Sequence, residues 1–190
     1  MYLKRNKELR ILKLYLGDYN KQFYLREIHT LTKIPLKTTQ TAIKNLEKAN
    51  IIKSKIRGKN KYFKLNLDNI NTKYYLIQAE IQKTFSFIEK YPLIKTFLKE
   101  IENNSPFIVF GSFAKLQANK YSDMDLMVIS EKKLPFHLLP YKIHKQKITE
   151  RTFQKALMQK ETLIEEIKEN HIILNNHSFF VNLMWKYYHE

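Results

Sequence analysis

Phe107-Ile108-Val109-Phe110-Gly111-Ser112 is followed, after ten residues, by Asp123-Met124-Asp125-Leu126-Met127-Val128-Ile129. The first run predicts a buried strand ending in a Gly-Ser turn, and the second a strand with two acids at its start. Side chains alternate along an extended chain, so Asp123 and Asp125 share one face while Met124, Leu126 and Val128 point to the other. Two carboxylates held that close repel, which predicts a divalent cation between them. Mg²⁺ suits such a pair, because it binds through one or two carboxylates and completes its shell with water and substrate phosphates. Gly111 permits a tight turn and a close approach of backbone to ligand. Ser112 offers a hydroxyl and an N–H where a helix would begin, a seat for an anion.

Outward from that stretch, the 190 residues suit one domain or two small ones. Hydrophobic residues make up 44%, with 12 Tyr and 12 Phe, enough to build a packed core. The absence of cysteine excludes disulfides, thiolate metal sites and a thiol nucleophile. The N-terminal residues carry no long apolar run, so neither a secretory signal nor a membrane span is expected, which predicts a cytoplasmic protein. The charge is uneven. Residues 1–70 hold 17 Lys and Arg against 5 Asp and Glu, a net of +12 out of +16. Such concentration at one end predicts a nucleic-acid-binding module there.

Leu9, Leu12 and Leu16, with Ile11 and Tyr15 beside them, space a first helix over Asn6–Leu16. A second helix follows with Leu25, Ile28 and Leu31 inward, then a turn at Thr32-Lys33-Ile34-Pro35, where proline bars helix continuation. A third helix spans Leu36–Ala49 with Ile43 and Leu46 inward. Residues 51–57 and 61–65 read as strands around Gly58-Lys59-Asn60, a hairpin with a cationic tip. Tyr24-Leu25-Arg26-Glu27-Ile28 and the run from Ala42 to Ile52 resemble a winged helix-turn-helix domain over about residues 5–67. That resemblance implies that Lys37, Thr38, Gln40, Thr41 and Lys44 face a DNA major groove. It sets Arg57, Lys59 and Lys61 along phosphate or the minor groove.

A long helix is expected from Asp68 to Tyr91, with Tyr75, Ile77, Ile81, Phe85 and Ile88 as its apolar stripe, closed by Pro92. A short helix at Leu93–Ile101 and Asn103-Asn104-Ser105-Pro106 lead into the opening strand. Residues 141–149 read as a further strand and Glu150–Glu169 as a helix with Thr149 as N-cap. A short strand at 171–174 and an aromatic-rich helix over 179–185 complete the chain.

Gly-Ser, ten residues, then Asp-x-Asp, with Ser122 just before the first acid, resembles the signature of the minimal nucleotidyltransferases, relatives of the DNA polymerase beta catalytic domain. The fold implied is α+β: the winged helix-turn-helix at 1–67, linker helices at 68–104, and at 105–190 a nucleotidyltransferase fold with a small mixed sheet flanked by helices. The resemblance assigns Gly111, Ser112 and Lys115 to the nucleotide, Lys115 being otherwise an ordinary surface lysine. It makes Asp123 and Asp125 catalytic ligands of Mg²⁺ or Mn²⁺, with ATP or another nucleoside triphosphate as substrate. Transfer of an AMP-type group to a protein, RNA or small-molecule hydroxyl is the implied reaction. Some relatives act in toxin–antitoxin pairs, so the implied partners are DNA, a nucleotide and a protein acceptor such as a toxin, with a homodimer left open and no membrane. Such enzymes mostly carry a third carboxylate on a later strand. Residues 141–149 contain no acid. His144 or Lys142 stands there instead, His144 being either a general base or structural. The departure opens an alternative: a DNA-binding transcriptional regulator whose nucleotidyltransferase domain is catalytically degenerate.

Overall fold

A computed structural model describes residues 6–101, 106–129 and 135–189. The chain divides into two compact units: Met1–Gln82 with Met184–Glu190, and Lys83–Leu183.

In the first unit, α1 (Lys7–Leu12) is capped by Asn6, whose side chain accepts from the Leu9 N–H at 3.0 Å. It runs on as a 3₁₀ turn through Tyr15. A two-residue strand, β1 (Phe23–Tyr24), leads directly into α2 (Leu25–Thr32), and α3 (Leu36–Lys48) follows. Glu27 reaches back to accept from the Tyr24 N–H at 2.8 Å, satisfying a donor the helix start leaves open. Between α2 and α3, Lys33 takes a left-handed conformation (φ 53°). Strands β2 (Ile52–Arg57) and β3 (Asn60–Leu65) form an antiparallel hairpin, and β1 adds to β3, giving the order β1-β3-β2. Leu9, Ile28, Ile43, Leu46, Phe63 and Leu65 fill the core between helices and sheet.

Leu31, expected inward, is 56% exposed. The inner line of α2 is set by Ile28 and Thr32, because the Thr32 hydroxyl donates to the Ile28 carbonyl (2.6 Å) and can bury. The long helix α4 (Ile70–Lys90) shows the same effect. Its buried line runs through Thr72, Leu76, Ala79 and Phe87, and Phe85 is half exposed. Thr72 turns inward because its hydroxyl donates to the Asn66 carbonyl at 2.8 Å. The boundary between the units falls within α4, which runs from the first into the second.

In the second unit, α5 (Ile94–Lys99) precedes β4 (Phe107–Phe110), and the single turn α6 (Gly111–Ala114) follows β4 without a break. Then come β5 (Met124–Ile129), β6 (Ile143–Ile148), α7 (Glu150–Met158), α8 (Thr162–Glu169), β7 (Ile172–Asn175) and α9 (His177–His189). The sheet is mixed, in the order β6-β5-β4-β7: β4 is antiparallel to β5 and β7, and β5 is parallel to β6. Phe107, Val109, Met124, Leu126, Val128, Ile172 and Leu174 share one core with Phe87, Ile94 and Phe97. Ile108, Met127 and Ile173, on the opposite face, are also fully buried. The single helix expected over Glu150–Glu169 is two helices, because Lys160 adopts φ 53° and redirects the chain. Thr149 does cap α7, accepting from the Thr152 N–H at 3.2 Å. The two units together form an α+β protein.

Candidate functional site

The end of β4 and the start of β5 lie at the same sheet edge because the two strands are antiparallel, with Phe110 opposite Asp125. The start of β6 arrives there too, being parallel to β5, with His144 opposite Asp125. Asp123, Asp125, Lys142, His144 and Gly111 are therefore gathered from three separate parts of the chain.

Gly111 is required on two counts. Its φ of +65° lies in the left-handed region, and a Cβ there would stand 2.3 Å from Asp125 Oδ2. The Asp125 carboxylate thus occupies the space a side chain at 111 would need. Ser112, next to it, is half-buried on the turn of α6. Asp123 and Asp125 have side chains 38% and 30% exposed.

Each acid already faces a cationic or titratable partner on β6 or just before it. Lys142 Nζ is 2.8 Å from Asp123 Oδ2, and His144 Nδ1 is 3.2 Å from Asp125 Oδ1. The position where a third acid was expected holds these two side chains. Among the described residues no three His, Asp or Glu side chains gather to hold a metal. The donor set fits a single divalent cation taken up by Asp123 and Asp125, with phosphate oxygens supplying further ligands. It does not fit a pair of cations, which would need the missing carboxylate. Lys115 lies 3.9 Å from Glu166 of α8.

Beside the acids opens a cavity of about 580 Å³ that includes Asp123 and Lys142 in its lining. Part of its wall is aromatic: Tyr91 packs on Phe113 (centroids 4.9 Å apart) and Phe113 on Tyr141 (5.1 Å). Burial pushes the Tyr91 phenol up, and burial together with the nearby Tyr91 does the same to Tyr141. Both stay neutral at ordinary pH. These aromatics were not legible as site residues. Tyr121, two residues ahead of the acid motif, was the one local signal.

In the first unit, Lys37, Gln40, Thr41 and Lys44 are exposed along α3 and Thr38 is half-buried. The Thr41 hydroxyl donates back to the Lys37 carbonyl at 3.1 Å. Arg57 and Lys59 are exposed at the hairpin tip and have no acidic partner among the described residues. Lys61 differs: it pairs with Glu47 of α3 at 2.9 Å, and Glu47 also accepts from the Ser54 hydroxyl at 2.6 Å. Burial alone would raise the Glu47 carboxyl, but the Ser54 and Lys61 hydrogen bonds outweigh it and hold the group below its usual range.

Residues 92–181 match the family model of the nucleotidyltransferase domain. That span contains β4 through β7, the Gly-Ser turn and both acids. No curated protein and no solved structure matches the chain. No helix among the described residues is long and apolar enough to cross a membrane.

Proposed function

We propose that this protein is a nucleotidyltransferase that binds a nucleoside triphosphate at the Gly111–Asp125 edge and is coupled to DNA through a winged helix in its first unit. The observation that carries the reading is the fit of Gly111 against Asp125: a left-handed glycine is held where the second acid of the motif leaves no room for a side chain. The match over residues 92–181 supports nucleotidyl transfer at the level of the domain.

Gly111 and Ser112 receive the triphosphate by close backbone approach. Asp123 and Asp125 would hold Mg²⁺ or Mn²⁺, which would neutralise phosphate charge when bound. Lys142, at the same edge, adds positive charge toward the phosphates. His144, hydrogen-bonded to Asp125, takes the place of the third carboxylate and accepts the proton of the attacking hydroxyl. The new bond joins that oxygen to the α-phosphorus, and pyrophosphate leaves. In the first unit, exposed α3 with its Lys and Gln side chains, and the Arg57–Lys59 tip, support major-groove and phosphate contact. A cytoplasmic location, a toxin-like protein acceptor and a homodimer belong to the same proposal.

The Lys142 and His144 pairs favour a second reading, a DNA-binding regulator whose transferase domain binds nucleotide without turnover. Incubation with labelled ATP, Mg²⁺ and cell extract separates the two. Label transfer lost in Asp123→Asn and Asp125→Asn supports the enzyme. Absence of transfer beside salt-sensitive DNA binding supports the regulator.

A further inference from the structure

The loop from Asn119 to Ser122 is stapled to itself. The Asn119 side chain accepts from the Tyr121 N–H at 2.9 Å, and the Asn119 N–H donates to the Ser122 hydroxyl at 3.0 Å. The Ser122 N–H closes the turn on the Asn119 carbonyl at 3.1 Å. Yet this rigid loop presents Tyr121 with 82% of its surface exposed, at the rim of the 580 Å³ cavity. A single exposed ring is ordinary at a protein surface; what marks Tyr121 is its place at the rim of a cavity that also takes in Asp123 and Lys142. Lys120 covers one face of the ring, its Nζ 4.8 Å from the centroid.

Asp123 and Lys142 belong both to the acid edge and to this cavity, whereas Gly111 and Asp125 do not line it. A ligand with its phosphates at Gly111 and Asp125 would meet the cavity on passing Asp123. The wall it meets includes the rings of Tyr91, Phe113 and Tyr141, in mutual contact, alongside polar side chains of the Asn119–Asp123 loop.

We infer that the cavity seats the nucleobase of the triphosphate and that Tyr121 stacks on it, an inference that rests on the nucleotide reading of the acid edge. Stacking tolerates any base, because every base has a π face, and favours the larger purines modestly. Affinity should therefore follow ATP and GTP ahead of CTP and UTP.

Isothermal titration of ATP, CTP and inorganic tripolyphosphate, each with Mg²⁺, into wild type, Tyr121→Ala, Tyr121→Trp and Asp125→Asn tests it. Tyr121→Ala is expected to weaken ATP about tenfold, within the range of base–aromatic stacking. It should leave tripolyphosphate unchanged and erase the purine preference. Tyr121→Trp should retain ATP, and Asp125→Asn should weaken ATP and tripolyphosphate alike. ATP affinity unchanged in Tyr121→Ala overturns this inference alone and leaves the cavity to the acceptor. Loss of ATP and tripolyphosphate together in Tyr121→Ala also overturns it, since the ring would then act on phosphates or loop. If wild type binds neither ligand, the nucleotide reading fails first and this inference with it.

Discussion

Replacing Gly111 by alanine tests the geometry on which the site rests. Two separate penalties are expected. Holding alanine at φ +65° costs about 1–2 kcal/mol, because its Cβ crowds the following carbonyl. The Cβ also meets Asp125 Oδ2 at 2.3 Å, whereas ordinary contact begins at 3.4 Å, so the carboxylate must retreat by about 1 Å. The Asp125 side chain is 30% exposed and can swing, which keeps the overpacking cost near the low end, about 1 kcal/mol. The total is about 2–3 kcal/mol, read from urea unfolding. The swing displaces the Asp125 carboxylate from its present place beside His144, so binding of Mg²⁺-ATP should fall with it. Backgrounds at position 125 separate the two penalties. In Asp125→Ala the clash is gone and Gly111→Ala should cost only the backbone part. In Asp125→Asn, of equal size, it should cost the full amount. Equal cost in the Asp125→Ala and wild-type backgrounds would refute the argument, since the carboxylate would then not occupy the space beside Gly111.

His144→Asp restores an acid opposite Asp125 and should tighten Mg²⁺ binding about tenfold by calorimetry, a gain in the range that a further carboxylate ligand supplies; unchanged affinity would show that β6 does not face the cation. Phe97→Ala, at a fully buried ring in the second unit, should cost about 3–5 kcal/mol in urea unfolding, and a loss under 1 kcal/mol would contradict its place in the core. Arg57→Ala and Lys59→Ala should each lower the slope of log affinity for DNA against log salt by about one, while Lys61→Ala should act mainly on stability. Glu47 is held below its usual carboxyl range, so its contribution is present above the unfolded value of 4.5 and is lost as pH falls through its lower folded value; Glu47→Gln should flatten the acid limb of a stability-versus-pH curve, and an unaltered limb would count against the Ser54 and Lys61 clasp.

The parts legible in the sequence were those with a strong local pattern. Strands β4 and β5 were legible as apolar runs, the second opening on two acids; the Gly-Ser turn was legible from its glycine, and the shared face of Asp123 and Asp125 from alternation. The acid-free character of β6 was legible too, and the structure adds that its His144, and Lys142 just before it, touch the acids. Illegible parts depend on polar groups that bury because a backbone carbonyl awaits them. Thr32 and Thr72 displaced Leu31 and the Tyr75–Ile88 stripe for that reason. The break at Lys160 has no glycine or proline to announce it. Strand β1 is only two residues long and is defined by pairing with Phe63 and Tyr62, which no local pattern contains. The cavity wall draws on Tyr91, Phe113 and Tyr141, and only the tertiary fold brings them together.

Strand β7 has a consequence for how the chain is made. All four residues of β4 are buried, and their backbone pairs with β5 on one side and with β7 on the other. β5 is synthesised soon after β4, but Ile172–Asn175 emerges only after β6, α7 and α8. Until then, the growing chain carries Phe-Ile-Val-Phe with an open row of N–H and C=O groups, a template for pairing with a neighbouring nascent chain. Ile173 then supplies the missing edge, and its carbonyl accepts from the Thr84 hydroxyl at 2.5 Å, tying the late strand to a helix made long before. Chains halted before residue 172 should therefore collect as aggregates, whatever the state of their acids.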